Sequence, residues 1–485
     1  MFFYSEAENQ TTGSEPTNIP TTDPYFSNVS LLLKAAGANN STTFVDSSVN
    51  NLAISRFGNT RIDSFSPHNK EDGKWSIYFP SQADSIRKNY LLVNGAIVGG
   101  NIGTNWTFET WFRGSSNSQR ATIAAKSDMH SDTGNSWVAS VMESGTNVGK
   151  FYFTVYHGTG WPVNIKSFFS VSRVDDGNWH HLAFVKQGTT YRIFVDGVLE
   201  LQEVFNTPLN NGTAESITIG GSTPNPNGGD YGRTDCHLSN LRICGTSVYT
   251  SAFSPPTTAL QSISGTILLT CQGRIFKDNG PNNYSITIGR GSPQISDVSP
   301  LANIVTAITG SAYFDGTNDY LSLSNSNLKL SGSYTIETWF YLNSYGDATN
   351  GSGLFYNGTT TSNINRVQLA VNLNGSMTAN GFGNSQTPIW QFATAAGLVS
   401  LNSWNHVALS NDGTTVRLFI NGILRGSSLA SSIATLPTTF YVGFHRSNSA
   451  LRYLNGYIDD LRLTQGIARY TTNFTPPDSH PTTGV

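Results

Sequence analysis

Apolar residues recur along this chain with a period of two, in runs of four to eight residues. Clusters of Gly, Asn, Asp and Ser separate the runs. Such a period sets one face of each run against a core, so it predicts β-strands, and no helical period competes with it. The clearest stretch is Asn178 to Glu200, NWHHLAFVKQGTTYRIFVDGVLE, which reads as three strands and two tight turns. Its second turn, Asp196-Gly197, supplies the positive φ angles of a two-residue hairpin. Tyr191, Ile193 and Val195 fall on one face of the middle strand, Arg192 and Phe194 on the other. Large apolar residues on both faces predict a central strand packed from both sides.

The same pattern returns at Ser403 to Arg425, SWNHVALSNDGTTVRLFINGILR. Trp179, His181, Gly188, Arg192 and Gly197 recur at one constant offset as Trp404, His406, Gly413, Arg417 and Gly422. Other echoes keep the same order: Ser30–Gly37 with Thr266–Gly273, Thr107-Phe-Glu-Thr-Trp-Phe with Thr335-Ile-Glu-Thr-Trp-Phe, Leu241-Arg-Ile with Leu461-Arg-Leu, and Phe253-Ser-Pro-Pro with Phe474-Thr-Pro-Pro. The period is too long for a solenoid, so each unit is a whole domain. The fold class predicted is all-β: two tandem antiparallel β-sandwiches. Residues 1–25 are polar and aperiodic and read as an arm. Residues 26–260 form the first domain and 261–485 the second, with a hinge near Gln261–Gly265.

Composition narrows the function classes. Charged residues are 12% of the 485, against about 25% in an ordinary domain. The net charge of −3 with no basic run excludes a nucleic-acid footprint and a polybasic membrane surface. No apolar run reaches the ~20 residues of a membrane span, so no membrane insertion is expected. MFFYSEAENQ has no basic n-region, so no signal peptide is expected and folding belongs in a reducing cytosol. Three cysteines without a CxxC give neither a disulfide framework nor a zinc site.

Few residues carry chemistry. Glycoside hydrolysis needs two carboxylates at a set separation. Glu109 and Glu337 each stand alone in a strand, so no enzyme is expected, and both read as structural carboxylates bonded to a turn or to Arg192 and Arg417. His181 and His406 read as hydrogen-bonded strand histidines. Asp315, Asn318 and Asp319 place oxygen ligands in one Gly-containing loop, and Asp459 and Asp460 lie on a later strand; such a set suits Ca²⁺, and an Asx turn accounts for it equally well. Stacking on sugar rings needs aromatics beside polar groups. Trp161 and Trp390 lie in stretches where the copies diverge, with Tyr156 and Trp137 behind them, although core packing is the commoner fate of Trp.

These strings resemble the concanavalin A-like, laminin G-like jelly roll, twice, from about residue 26 to 478. The residues that carry the likeness are Tyr313–Tyr320 (YFDGTNDY), Thr335–Phe340, the Asn421-Gly422 hairpin, Gly456–Arg462 (GYIDDLR) and the closing Tyr-Thr-x-x-Phe-x-Pro-Pro. The first copy departs at Pro80–Ser85 and at Leu238–Arg242, where the acidic pair is missing. The resemblance implies a lectin-like domain, with Ca²⁺ in the second copy. The closing motif in a charge-poor chain is most similar to virion proteins of tailed phages, cyanophages especially. The expectation is a non-enzymatic virion protein, a fibre or capsid-attached adhesin, homo-oligomeric on the particle. Its partners would be other virion proteins and a host-surface glycan. A purely structural decoration protein and a secreted bacterial adhesin or carbohydrate-binding module are the alternatives.

Overall fold

The computed structural model describes residues 22–35, 37–67, 73–80, 89–94, 101–115, 121–126, 136–142, 144–157, 164–209, 216–221, 235–290, 292–301, 310–346, 350–359, 364–430, 436–447 and 450–480. Its regular structure is strands and three short 3₁₀ turns. Two sandwiches result, each an eight-stranded sheet packed on a seven-stranded one, and all strand pairs are antiparallel. The large sheet of the first runs, edge to edge, Val198–Val204, Thr190–Val195, Asp176–Gln187, Asn105–Ser115, Cys236–Cys244, Ser76–Phe79 and Gln294–Ser296. In the second, Ile423–Leu429, Thr415–Ile420, Trp404–Asn411, Tyr334–Leu342, Asn455–Gln465, Ser311–Asp315 and Arg61–Asp63 follow the same order. Trp179 and Trp404 therefore occupy equivalent strands, as the duplication predicts.

The two sandwiches exchange their opening strands. Val29–Leu33 pairs with Asn455–Gln465, Ser55–Phe57 with Tyr320–Ser324, and Arg61–Asp63 with Ser311–Asp315. Reciprocally, Thr266–Thr270 pairs with Cys236–Cys244, Ile286–Arg290 with Tyr90–Val93, and Gln294–Ser296 with Ser76–Phe79. The division at residue 260 is thus corrected: the first sandwich lies within 73–301, and the second joins 22–67 to 310–480. The expected hinge at Gln261–Gly265 is instead a return, since Gly245 N donates to Gly265 O at 2.8 Å and the chain goes back into the first sandwich. The arm is shorter than expected as well. Asp23 is buried and accepts from Arg462 and Arg469, so it belongs to the second sandwich, while residues 1–21 lie outside the described set.

The chain crosses between sandwiches through an aromatic junction. Phe65 meets Tyr341 and Tyr457 edge-on, at 5.1 and 5.3 Å between centroids, and tilts onto Trp404 at 5.4 Å. Backbone bonds fix the contact: Ile295 N donates to Asn402 O, and Trp404 N to Arg274 O. Arg274 lies over the Trp339 ring at 4.3 Å. These contacts draw Trp339, Tyr341 and Trp404 into the core of the first sandwich.

The large sheets are covered on their outer faces too, which is why the central strands of the second are buried throughout and those of the first along their middle. The cover is the Tyr-Thr-x-x-Phe-x-Pro-Pro segment. Tyr249 stacks on Phe253 at 3.6 Å, over Ala183, Val185 and Phe194, and Tyr470 stacks on Phe474 in the same way. Phe253 N donates to Gly197 O, and Phe474 N to Gly422 O. A Cβ on Gly197 would meet Phe253 O at 1.8 Å, and on Gly422 would meet Phe474 O at 1.9 Å. Both hairpin glycines are therefore fixed twice, by φ of 78° and by the tail crossing them.

Candidate functional site

Under each tail lies the same buried ionic cluster. Glu109 Oε1 accepts from Arg242 Nε and Nη2 at 2.9 and 2.6 Å, Oε2 accepts from Tyr249 Oη at 2.8 Å, and His181 Nε2 lies 3.2 Å away. Glu337 repeats this with Arg462, Tyr470 and His406, and adds His480 at 3.2 Å. Burial favours the neutral acid, yet the bond and charge of His181 and the charge of Arg242 hold the Glu109 carboxyl below its ordinary range. Arg462, His480 and His406 do the same to Glu337. The expected partners were wrong. Arg192 bonds Gln202 and Gln187, and Arg417 bonds Asp412, because both arginines lie two strands from the acids, where the register sets Phe194 and Phe419 in line with them. Both glutamates are fully buried, out of reach of a sugar.

The proposed calcium ligands are not all brought together. Asp315 faces Asn455 in register, four residues along the strand from Asp459. Asp459 is buried elsewhere, accepting from Ser66 Oγ at 2.6 Å and from the Asp460 amide at 2.7 Å. Asp319 takes the amides of Asp315 and Asn59, and Asp315 Oδ1 takes the Thr317 amide at 2.8 Å. A Cβ on Gly58 would strike the Asp319 and Asn318 side chains. The loop therefore grips the exchanged strand through Gly58-Asn59. Among the described residues, no group of three or more His, Cys, Asp or Glu side chains is placed to hold a metal ion.

The aromatic candidates scatter. Trp161 lies outside the described residues. Trp137 is 0% exposed, stacked on Phe153 in the first core, so its face is closed to solvent. Tyr156 is half-buried on the outer face of the first seven-stranded sheet. Trp390 is 4% exposed, packed over Gly381 in the second core, which corrects the expectation of an open ring. One edge of it nevertheless lines a cavity of about 130 Å³ with Tyr334, Asn411 and Gly413.

That cavity has a larger counterpart at the same place in the first sandwich. It measures about 440 Å³ and is lined by Asn101, Thr104, Lys186, Thr189, Asn206 and Thr207, over Tyr191 and Phe205. Gly188 of this pocket and Gly413 of the other are equivalent residues of the Gly-Thr-Thr turns, and Lys186 matches Asn411. Each pocket sits on the sandwich rim, between that turn, the loop before the central strand and the crossover that leaves the edge hairpin. Lys186 Nζ donates to Gly103 O and Thr104 O at 2.9 and 3.3 Å, and burial pushes its pKa down. The Asn101 Oδ1 atom is buried with no hydrogen-bond partner. The pocket thus offers an amine, two amides and three hydroxyls around aromatic faces. The shared Gly-Thr-Thr turns were the sequence signal that pointed to it, read there only as hairpin geometry.

Comparison with known proteins agrees with this architecture. Among curated proteins, none matches the chain. Among solved structures, the chain is similar to domains LG4-5 of the mouse laminin alpha1 chain, at 13% identity and a TM-score of 0.32, covering 82% of this chain and 90% of that one. It is also similar to the heptameric SAP-like pentraxin of Limulus polyphemus, at 10% identity and 0.30, covering 49% and 99%. A third is the CBM40 of Ruminococcus gnavus IT-sialidase bound to alpha2,3 sialyllactose, at 18% and 0.25, covering 29% and 80%. At such identities nothing about ligands passes to this chain. The laminin G-like family model of the concanavalin A-like lectin/glucanase superfamily matches residues 84–248 and 315–467, the body of each sandwich without its exchanged strands. The chain belongs to the concanavalin A-like lectin/glucanase superfamily, with two laminin G-like units.

Proposed function

We propose that this is a non-enzymatic, lectin-like protein that binds saccharide in its rim pockets. The observation that supports this is the duplicated cavity, larger and more polar in the first sandwich. Convergent amide, hydroxyl and amine groups beside aromatic rings suit sugar hydroxyls and ring faces. The pockets are built by loops on a rigid frame, where binding residues usually reside. The buried pairing of Glu109 and Glu337 supports binding over hydrolysis. The closing Tyr-Thr-x-x-Phe-x-Pro-Pro motif and the charge-poor composition support the finer reading: an attachment protein on a tailed-phage virion, presented in several copies beside other virion proteins. Weak single sites gain strength from such multiplicity.

The test is binding to an array of cell-surface saccharides by the protein clustered on beads, comparing wild type with Lys186→Met and Asn206→Ala. A glycan bound by wild type and lost in both variants supports the reading. Binding unchanged by either variant moves the site elsewhere, with Trp161→Ala the next variant. No binding at all leaves a structural decoration protein.

A further inference from the structure

An open cleft lies where the two sandwiches meet. It measures about 230 Å³, and four aromatic rings line it: Phe65, Tyr78, Tyr341 and Tyr457. The exchange creates it. Gln294–Ser296, another part of its wall, is an exchanged edge strand of the first large sheet, while Tyr341 and Tyr457 pair in register on the second. The Ile295 amide donates to the Asn402 carbonyl and holds the two sides together. Phe65, Tyr78, Tyr457, Gln294 and Asp297 are half-buried and Asn343 is exposed, so a ligand reaches them. The planes of Phe65 and Tyr341 stand at 89°, those of Phe65 and Tyr457 at 69°, and those of Tyr341 and Tyr457 at 79°. These three rings form a corner. Tyr78 is fixed by its own contacts, a 2.8 Å bond from Oη to Asp235 Oδ1 and stacking on His237 at 4.7 Å.

The charge of the cleft is one-sided. Among the described residues that line it, Asp297 carries the single formal charge. The side chains of Asp297 and Gln294 make no hydrogen bond or ion pair with any described residue. Asn343 Nδ2 donates to Asn455 Oδ1 at 3.1 Å, which leaves its own Oδ1 as an acceptor. The duplication shows which group suits this face. In the second sandwich Arg61 pairs in register with Tyr313, and its guanidinium lies over that ring at 4.1 Å. At the equivalent place in the first, Gln294 pairs with Tyr78, so this ring lacks the cation its counterpart has. A cation beside an aromatic ring and a carboxylate is held by both, and amides suit hydroxyls. An anionic ligand would be repelled by Asp297, and a bare alkylammonium would leave the amides unused. We propose that the junction cleft binds an amino sugar, its ammonium at the Tyr78 ring and the Asp297 carboxylate, its hydroxyls on Gln294 and Asn343. This site shares no residue with the rim pockets, the larger of which carries Lys186 and so disfavours a cation.

The experiment uses the full chain and three probes at constant ionic strength and at a pH that keeps the amine protonated. They are the β1,4 trimer of glucosamine, cellotriose, which has a hydroxyl in place of each amine, and choline. Binding is read by calorimetry, and Tm in parallel. Wild type is compared with Asp297→Asn, which removes the charge and keeps the shape, and with Gln294→Arg, which installs the cation of the second copy. The expected result is that wild type binds the glucosamine trimer at least about tenfold more tightly than cellotriose, and that both variants lose at least about tenfold for the amino sugar. Asp297 has no protein partner to lose, and Arg61 already occupies the place equivalent to Gln294, so both variants should melt close to wild type. The proposal is overturned if the glucosamine trimer does not bind, if cellotriose binds equally well, if either folded variant keeps the preference for the amine, or if choline binds as tightly as the amino sugar. Lys186→Met, which reads the rim pockets, is measured separately, so either proposal can fail without the other.

Discussion

Replacing Glu109 by Gln removes one charge from a fully buried cluster and leaves its shape. Arg242 then keeps only neutral acceptors, the Gln261 carbonyl 2.8 Å from Nη1 and the amide oxygen of the substituted side chain, and no carboxylate. Breaking a buried pair in this way costs about 3–5 kcal/mol, because the remaining charge is uncompensated. Glu337→Gln is less severe, since Arg462 Nη1 keeps Asp23 Oδ2 at 3.0 Å. About 1–3 kcal/mol is expected there, the scale of a charged hydrogen bond. The assay is urea unfolding at pH 7 followed by tryptophan fluorescence. Both glutamates have folded pKa values below the ordinary 4.5. Their contribution is therefore complete above that value and lost as pH falls through the depressed ones. The gap between wild type and Glu109→Gln should accordingly narrow at acid pH. A Glu109→Gln loss below about 1 kcal/mol, or a larger loss at Glu337, would refute the assignment of the arginine partners.

Gly422→Ala forces a positive φ on a residue with a Cβ and drives it into Phe474 O, so we expect a loss of at least about 2 kcal/mol in urea midpoint analysis. An alanine variant as stable as wild type would mean that the tail does not cross the hairpin. Calcium is tested by melting in EDTA and in excess Ca²⁺. Because amides of Asn59, Asp315 and Thr317 already occupy the Asp319 and Asp315 oxygens, the two Tm values should coincide, and a drop of several degrees in EDTA would restore the ion. Phe65→Ala opens the junction among Tyr341, Tyr457 and Trp404 and should destabilise by about 2–3 kcal/mol, read in the same urea series. No loss would place the junction contacts elsewhere.

The strands and their equivalence were legible because period-two patterning and Asp-Gly or Asn-Gly turns are local signals. The exchange was not. Ser30–Leu33 and Thr266–Leu269 carry the same apolar pattern, so either satisfies the edge of Cys236–Cys244 or of Asn455–Gln465. The junction around Phe65 goes with the exchanged pairing, a long-range arrangement with no local mark. Partners of buried charges were misread for a similar reason. Arg242 and Arg462 lie far along the chain from Glu109 and Glu337 but next to them across the sheet. Trp137 and Trp390 stood beside polar residues in sequence, yet each alternates inward on its strand, and burial followed the pleat. The role of Phe253 and Phe474 was hidden too, since a covering tail leaves no periodicity.

The exchange is what fixes two rim pockets on one body, and it is open to direct measurement. Ser55 and Ser322 are opposite each other across the exchanged pair, at the spacing a disulfide tolerates. The native cysteines are free and buried, so a Ser55→Cys, Ser322→Cys double variant can be oxidised selectively. Mass mapping of the monomer should find one bond joining positions 55 and 322. In a linear arrangement the first of these strands would lie on Tyr90–Val93. An oxidised protein with no 55–322 bond, or with that bond only between two copies, would contradict the exchange.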